Sequence, residues 1–260
     1  MPIITHSFPI AATRTIAVLA LVIAGQASHA QEHGPTTADS RQVYTETLSP
    51  VWLRAVGKLQ VPGTKIVKGR RSHHWEDCSG TLVASPGNSH ADTVITAWHC
   101  LEYYNDLSQR ITFTLLPDSP DSVELEVYRL ADGGSMNADW AILRLQQPIA
   151  RTQIAAMPVH PREAKKDDNI IMAGYSSDEQ LGRHGEKLTY DADCNITEHS
   201  RSGGGSNCYA HKGASGGAVV FLSNKGEAWF SGVISQGDGV GFSTYVPVTG
   251  FRNALSLHLR

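Results

Sequence analysis

Hydrophobic and polar positions alternate along the chain in short runs, and turn-forming residues separate nearly all of them. Short β-branched and aromatic runs with such boundaries are typical of β-strands. In the first half the pattern predicts strands at Val51–Leu59, Gly80–Ala84, Asp92–Ala97, Ile111–Leu115, Val123–Leu130 and Trp140–Leu145. In the second half it predicts strands at Asn169–Ala173, Glu186–Thr189, Gly217–Leu222, Ala228–Ser235 and Gly241–Val246. This succession of strands predicts an all-β protein.

A helical spacing of apolar residues is confined to the carboxyl-terminal segment. Phe251, Leu255 and Leu259 recur there at every fourth position, which predicts a short amphipathic helix. The stretch before the second set of strands combines several prolines with a charged run, which is typical of a linker. Two antiparallel β-barrels joined by that linker and followed by the helix are therefore the predicted architecture.

The first thirty residues have the features of a targeting segment. They contain Arg14, an apolar run from Ile16 to Ala24, and small residues at Ser28 and Ala30. This order is typical of a secretory signal peptide, and the apolar run is shorter than the roughly 20 residues that a membrane span needs. We expect cleavage after Ala30 and a secreted or periplasmic location. The predicted organisation is a signal peptide (1–30), a flexible leader or propeptide (31–50), an N-terminal β-barrel (51–150), a linker (151–168), a C-terminal β-barrel (169–247) and a C-terminal helix (248–260).

Composition and charge restrict the function further. With 260 residues, 41% hydrophobic and 18% charged, the chain can bury a core, which argues against a disordered protein. The formal net charge of −3, without any block of lysine or arginine, gives no electrostatic footprint for nucleic acid. We expect a monomer that acts on protein or peptide substrates, with no nucleic-acid partner and no stable membrane association after signal cleavage.

The 4 cysteines of an exported chain indicate two disulfides, although the sequence leaves three connectivities open. The local pairings are Cys78 with Cys100 and Cys194 with Cys208. Zinc binding is the competing interpretation, since His73, His74 and Glu76 lie near one cysteine, but the chain has no Cys-x-x-Cys pair. We therefore predict disulfides, no metal and no cofactor.

Candidate catalytic residues lie in three separate motifs. His99 follows a predicted strand and precedes a cysteine, so its position is constrained by the fold. Asp139 stands at the start of a strand whose alternating apolar residues bury one face. Ser215 lies in the segment 213–217, Gly-Ala-Ser-Gly-Gly, where glycines permit a tight turn that exposes a hydroxyl and backbone N–H groups. The chain therefore contains a histidine, an aspartate and a serine, the residue types that combine in nucleophilic catalysis.

These motifs resemble those of the chymotrypsin-like, or trypsin-like, serine endopeptidases. The segment 96–100, Thr-Ala-Trp-His-Cys, is similar to the motif around the family's histidine, and Asp139-Trp-Ala-Ile-Leu143 to that around its aspartate. The segment 78–82, Cys-Ser-Gly-Thr-Leu, resembles the strand whose cysteine bonds the one after the histidine. The segment 231–237, Ser-Gly-Val-Ile-Ser-Gln-Gly, resembles the strand that pairs with bound substrate. The resemblance runs from about Val51 to the end of the chain.

The resemblance implies a role for each residue. Ser215 is the nucleophile, His99 its general base, and Asp139 the group that orients the imidazole, supported by Ser235. The backbone N–H groups of Gly213 and Ser215 form the oxyanion hole. The implied substrate-binding positions are Tyr209, Ala210, Lys212, Ser235, Gly237 and Gly241. No acidic residue lies at the implied base of the primary pocket, so a preference for arginine or lysine is not implied.

Two departures indicate a branch within the family. Ala214 stands where an acidic residue usually receives the new amino terminus, so that activation switch is absent. Cys208 and the opening Ala55–Leu59 look more like the secreted bacterial, glutamyl-endopeptidase-like branch. Ile234, however, occupies the position of the histidine found in glutamate-specific members. Glutamate specificity is therefore not implied.

The predicted function is a secreted serine endopeptidase that forms an acyl-enzyme on Ser215. One alternative is a catalytically inactive homologue that acts as a binding protein, which Ala214 makes worth considering. The other is a serine esterase, because Gly213-x-Ser215-x-Gly217 also fits the nucleophile elbow of α/β-hydrolases, with Asp238 and His258 following in order. The esterase fold requires strands that alternate with helices, whereas the pattern here predicts strands and turns.

Overall fold

The structure of the protein, a computed structural model, describes residues 38–162 and 164–259. The predicted signal peptide lies outside these residues. Within them, no helix is both long enough and apolar enough to cross a membrane.

The described part of the chain is built mainly of β-strands. The strands are β1 (Gln42–Val43), β2 (Val56–Val67), β3 (Arg70–Ala84), β4 (His90–Thr96), β5 (Ile111–Leu115), β6 (Val123–Asp132), β7 (Ala141–Ala150), β8 (Met157–Pro158), β9 (Asn169–Gly174), β10 (Thr189–His199), β11 (Gly204–Ser206), β12 (Ala218–Leu222), β13 (Ala228–Gly237) and β14 (Ser243–Pro247). The α-helix α1 covers Arg252–His258, and 3₁₀ turns cover Val51–Ala55, Trp98–Leu101 and Val248–Gly250.

The first barrel consists of β2 to β7 in the order β2-β5-β6-β7-β4-β3 and closes because β2 also pairs with β3. Alternation along β5 shows why these residues form a barrel. Ile111, Phe113 and Leu115 are buried, whereas Thr112 and Thr114 lie on the other face and are partly exposed. Such a two-residue period places one face of the sheet in the core.

The second barrel consists of β9 to β14 in the order β9-β10-β11-β14-β13-β12 and closes through the pairing of β12 with β9. Strand β1 extends this sheet beside β10. Buried side chains from several strands, among them Ile196, Val219, Ile234 and Tyr245, fill its interior. The predicted all-β class, two antiparallel barrels with a short C-terminal helix, is thereby confirmed.

The strand boundaries differ from the sequence prediction in places where polar residues interrupt the pattern. Val51–Ala55 forms a 3₁₀ turn before β2, and the predicted strand Glu186–Thr189 is only the approach to β10. The remainder of β10 carries acidic residues, one of which, Asp191, is fully buried. Its carboxylate accepts the backbone N–H groups of Tyr209 and Asp193, so a buried charge is satisfied where the hydrophobic pattern predicts none.

Two segments assigned to connections contain ordered pairing. Within the predicted linker, β8 pairs in parallel with β3, and the next residue, Val159, forms a bridge with Phe230 of the second barrel. Within the predicted flexible leader, residues 38–50 include β1 and the buried Arg41. The leader residues 41–44 are thus packed against the second barrel.

Helix α1 is attached through the residue before it. Phe251 is 2% exposed and stacks on Trp140 with ring centroids 5.3 Å apart, next to the start of β7. Leu255 is also buried, whereas Leu257 on the opposite face is 82% exposed. The terminal segment therefore covers one end of the first barrel.

We expect Phe251→Ala to lower the free energy of unfolding by about 3 kcal/mol or more, because it removes a buried ring and leaves a cavity. Urea denaturation followed by tryptophan fluorescence measures this change. Leu257→Ala is the control and should change stability by less than about 0.5 kcal/mol. A loss below about 1 kcal/mol for Phe251→Ala would show that the helix contributes little to the fold.

Candidate active site

The glycine-rich turn that carries Ser215 lies against the first barrel. Gly213 and Gly216 have φ angles of +92° and +83°, which glycine adopts without strain. A Cβ atom on Gly216 would lie 2.1 Å from Thr96 Oγ1 and 2.2 Å from the Ser79 carbonyl oxygen. Only glycine therefore allows the turn to approach the first barrel this closely, and the approach brings Ser215 to the junction of the barrels.

His99 lies in the 3₁₀ turn that follows β4. Its Nδ1 is 2.8 Å from Asp139 Oδ2, and its backbone N–H donates to Asp139 Oδ1 at 2.9 Å. The Cys78–Cys100 disulfide ties this turn to β3, and the Cys194–Cys208 disulfide lies in the second barrel. Both bonds follow the local pairings suggested by the sequence. The histidine is therefore fixed in both position and ring orientation.

Asp139 is fully buried and accepts a third hydrogen bond, from the hydroxyl of Ser235 to Oδ2 at 2.5 Å. Three donors from two barrels thus surround one carboxylate. A buried carboxylate with this many donors is both satisfied and held rigidly. Because His99 remains partly exposed, the pair presents the second ring nitrogen, Nε2, toward the solvent side.

Ser215 lies beside this pair without a direct hydrogen bond to it. Its hydroxyl donates to the backbone carbonyl of Ser235 at 3.2 Å, and among the described residues it makes no hydrogen bond to His99. Ser235 therefore contacts both Asp139 and Ser215. Catalytic hydrogen bonds in a free enzyme are often long or misaligned and tighten when substrate binds.

Two backbone N–H groups of the turn are available to a ligand. The N–H groups of Ala214, Gly216 and Gly217 donate to His211, Ile234 and Ala214 carbonyls, respectively. Within the described part of the chain, those of Gly213 and Ser215 donate to no protein acceptor. These are the two groups that the sequence assigns to the oxyanion hole.

Ser79 is a contact residue that sequence reasoning missed. It is fully buried, its backbone N–H donates to the Ser215 carbonyl, and its hydroxyl donates to the Gly213 carbonyl, both at 2.8 Å. The same hydroxyl accepts the N–H of Tyr175 at 2.8 Å. Ser79 thus holds the carbonyls of the turn on the side of the first barrel. Its place directly after Cys78 was the only signal in the sequence.

The residues assigned to the primary substrate pocket leave only a narrow slot between Ala210 and Gly237, while Tyr209 also lines a separate cavity of about 700 Å³. A Cβ atom on Gly237 would lie 2.1 Å from the Ala210 carbonyl oxygen, so the two walls touch. Gly239 N–H donates to the same oxygen at 3.2 Å. Tyr209 is 7% exposed, and its ring lies 3.3 Å from the position of a Cβ on Gly241. Lys212 is exposed.

Another cleft, of about 530 Å³, borders Ser235 and Gln236. It is lined by residues of both barrels, including Asn137, which precedes Asp139 by two positions, and Ser235 and Gln236 of β13. The acidic Glu198 and the neighbouring His199 form part of its wall. The strand that contacts Asp139 therefore also borders the space available to an extended ligand.

Neither the cysteines near His99 nor Asp238 forms a further metal or catalytic site. Cys78, His99 and Cys100 place ligand atoms within 4.8 Å of one another, but both sulfur atoms belong to the disulfide and are not thiolates that bind zinc. Asp238 accepts the N–H groups of Val240 and Phe242 within its own turn.

The α/β-hydrolase interpretation fails on the fold. His258 ends helix α1, where its carbonyl oxygen accepts a hydrogen bond from Arg144. The serine that would follow a strand and open a helix in that fold lies here in a turn between barrel strands.

The two closed barrels, with the histidine and aspartate between them, define the chymotrypsin-like serine protease fold. The chain belongs to the family of trypsin-like peptidase domains. The sequence model of that family matches residues 78–228, more than half of the chain. No curated protein sequence matches the chain significantly.

Solved structures show the same fold at low sequence identity. A thermostable serine protease, AL20, from an extremophilic microorganism is 19% identical, with a TM-score of 0.59 over 78% of this chain and 96% of that protein. The protease Anisep from Arthrobacter nicotinovorans is 18% identical, with a TM-score of 0.58 over 80% and 98%. The active form of the Rv3671c protease from M. tuberculosis is 17% identical, with a TM-score of 0.56 over 83% and 93%.

Proposed function

We propose that the protein is a secreted serine endopeptidase that cleaves peptide bonds through an acyl-enzyme on Ser215. The observation that carries this proposal is the buried Asp139, which accepts both the Nδ1 and the backbone N–H of His99 beside the glycine turn. The N–H groups of Gly213 and Ser215, which donate to no acceptor in the described part of the chain, add the donors that a developing oxyanion requires.

In the proposed reaction the Ser215 hydroxyl leaves its bond to Ser235 and attacks the substrate carbonyl carbon. His99 Nε2 takes the hydroxyl proton, and Asp139 stabilises the imidazolium through Nδ1–H. The carbonyl oxygen becomes an oxyanion that accepts the N–H groups of Gly213 and Ser215. Collapse breaks the carbon–nitrogen bond, and the amine leaves with the proton from His99. Water then attacks the ester by the same route and releases Ser215.

The edge of β13 supports binding of an extended peptide. Residues 232–237 pair with β14 on one side, whereas the pairing with β12 on the other side ends at Val233. The stretch Ser235–Gly237 therefore presents an edge next to Ser215. An extended substrate can add there as another antiparallel strand, with its scissile bond near the nucleophile.

The narrow slot supports a preference for small side chains at the residue before the scissile bond. We expect cleavage after alanine, glycine or serine, because Tyr209 and the contact between Ala210 and Gly237 leave little room. In Tyr209→Ala, kcat/KM for leucine relative to alanine at that position should rise at least about tenfold. Paired peptides that differ at this residue measure the ratio.

The control for this substitution is Tyr128→Ala, which removes a partly exposed tyrosine from the first barrel. That variant should leave the leucine-to-alanine ratio unchanged. If wild-type protein already prefers leucine over alanine, the slot does not limit the substrate in solution.

The secreted location is part of the proposal. Two disulfides among the described residues fit an oxidising compartment. Expression of the full chain in a bacterial host, followed by mass spectrometry of the exported protein, tests the predicted removal of residues 1–30. Accumulation of uncleaved protein in the cytoplasm with reduced cysteines would contradict it.

An inactive homologue is the second candidate, favoured by the bond from Ser215 to Ser235 rather than to His99. Labelling with a fluorophosphonate probe separates the two candidates, because the probe phosphonylates only an activated serine, whose oxygen displaces fluoride from phosphorus. A probe on Ser215 at stoichiometric yield supports the peptidase. Folded protein that stays unlabelled and hydrolyses no peptide would favour a binding protein.

A further inference from the structure

The segment Ala38–Tyr44, which we name the strap, is attached to the second barrel along its length. Gln42 and Val43 pair with Tyr190 and Thr189 of β10, and Tyr44 N–H donates to the Leu188 carbonyl at 2.8 Å. The Tyr190 hydroxyl also donates to the Gln42 side chain at 2.8 Å. The strap therefore has a defined register on the barrel.

Arg41 of the strap places a buried guanidinium between two carboxylates. Its side chain is 1% exposed, and its NH1 and NH2 lie 2.7 Å from Asp178 Oδ1 and Asp39 Oδ2. Burial alone would raise the pKa of Asp178, but the hydrogen bonds from Arg41 and from the Gly182 and Leu181 N–H groups lower it to about 2. Asp178 is thus ionised at neutral pH. Removing Arg41 would leave the partly buried carboxylate of Asp178 without its cationic partner.

Asp178 organises the loop that follows β9. Its Oδ2 accepts the N–H groups of Leu181 at 2.8 Å and Gly182 at 3.1 Å, and its carbonyl accepts that of His184 at 2.9 Å. With Oδ1 on Arg41, both carboxylate oxygens are engaged. The backbone at residue 178, and hence at Ser177 before it, is therefore fixed by the strap.

Ser177 holds the peptide that supplies one oxyanion donor. Its N–H and its hydroxyl donate to the Lys212 carbonyl at 2.6 and 2.8 Å. Because N–H and C=O point in opposite directions in a trans peptide, the Gly213 N–H points away from Ser177. A flip of this peptide would turn a carbonyl oxygen toward the substrate oxyanion.

We infer that Arg41 is a positioning residue that keeps the Gly213 N–H in the oxyanion hole, acting through Asp178 and Ser177. The inference rests on the proposed peptidase function. The strap carries out this task because Ala214 has no carboxylate with which to anchor the turn. Arg41 touches no reacting atom, and its effect is on the orientation of the Lys212–Gly213 peptide.

The kinetic signature of this role is a loss of kcat at nearly constant KM. An oxyanion donor acts in the transition state, and removal of one donor lowers kcat by about 10²–10³-fold. We expect Arg41→Met to lower kcat about 10- to 100-fold, with KM within about threefold, because the peptide keeps its Ser177 contact part of the time. Ser177→Ala keeps the N–H donor and should lower kcat about three- to tenfold.

The experiment compares kcat and KM for one peptide substrate across wild type, Arg41→Met, Ser177→Ala and the double variant. Arg129→Met is the matched control, since Arg129 pairs with Asp132 within β6 of the first barrel, at a distance of 3.3 Å. The double variant should lose no more kcat than Arg41→Met, because both act on the same peptide. An unchanged kcat in Arg41→Met would overturn the inference. So would a kcat loss in the double variant equal to the product of the losses in the two single variants.

Amide hydrogen exchange tests the inference independently of activity. In Arg41→Met, exchange over residues 209–217 should become at least about tenfold faster, whereas Arg129→Met should leave it unchanged. If Arg41→Met does not fold, Ser177→Ala gives the same readout, and unaltered exchange there overturns the inference. If folded wild-type protein hydrolyses no peptide and is not labelled by the fluorophosphonate probe, the peptidase function is refuted. That result would not refute the role of the strap, which the amide hydrogen exchange experiment would still test.

Discussion

Ser215→Ala is expected to lower kcat for peptide hydrolysis by about 10⁴-fold or more while the protein remains folded. The substitution removes one hydroxyl whose only acceptor among the described residues is the Ser235 carbonyl, so no charged partner there is left unsatisfied. The N–H groups of Gly213 and Ser215 persist and account for the residual rate. Steady-state kinetics on a peptide substrate, with thermal unfolding beside it, measure both parts.

The control for this variant is Ser206→Ala, which removes a buried hydroxyl from β11 of the same barrel. It should alter stability but leave kcat within about threefold. Wild-type turnover in Ser215→Ala would exclude the acyl-enzyme mechanism. Equal losses in the two serine variants would indicate a folding defect instead of a chemical one.

Asp139→Asn is expected to reduce kcat about 10⁴-fold near neutral pH. Asp139 now accepts three hydrogen bonds, from His99 Nδ1, His99 N–H and Ser235 Oγ. The side-chain amide of the Asp139→Asn variant can accept hydrogen bonds only on its oxygen, and its NH₂ group can only donate. Its NH₂ group therefore donates to His99 Nδ1, which must give up its proton. The imidazole then takes the tautomer in which Nε2 carries the proton, so it can no longer accept one from Ser215. Kinetics over a pH series measure the loss.

Asp121→Asn is the matched control, because Asp121 is a largely exposed partner of Arg54 on the surface. Its kcat should equal that of wild type. Activity of Asp139→Asn within about tenfold of wild type would show that His99 is oriented by other groups.

The fold was predictable because much of the barrel pattern is local. Strand β5 alternates buried and partly exposed residues as its sequence suggests, and its bounds agree with the prediction. Strand β10 was not recognised, because acidic and amide residues interrupt its apolar positions and its pairing contains irregular registers. Asp191 shows the physical reason, since its buried carboxylate accepts the N–H of nearby Asp193 and that of Tyr209, 18 residues further along the chain.

The residues of the candidate site also fall into two groups, those that local sequence motifs identify and those that only the folded structure identifies. His99, Asp139 and Ser215 each stand in a short motif, so their residue types and neighbours identify them. The roles of Ser79, which lies in the 78–82 motif, and of Arg41 cannot be read from neighbouring residues, because they arise from contacts with residues about 100 or more positions away. Nothing in the polar stretch around Arg41 indicates a buried guanidinium until the barrel supplies Asp178.

Ser79 has a consequence for how this protein can be recombined with its relatives. Ser79 of the first barrel donates hydrogen bonds from its N–H and its hydroxyl to the serine turn, and its hydroxyl accepts a hydrogen bond from the N–H of Tyr175. All three partners lie in the second half of the chain. A chimera that takes its first barrel from a relative without a hydroxyl at this position would orphan the Gly213 carbonyl and the Tyr175 N–H together. Successful barrel exchange therefore depends on inheriting the right residue after Cys78, far from the junction at which the genes are joined.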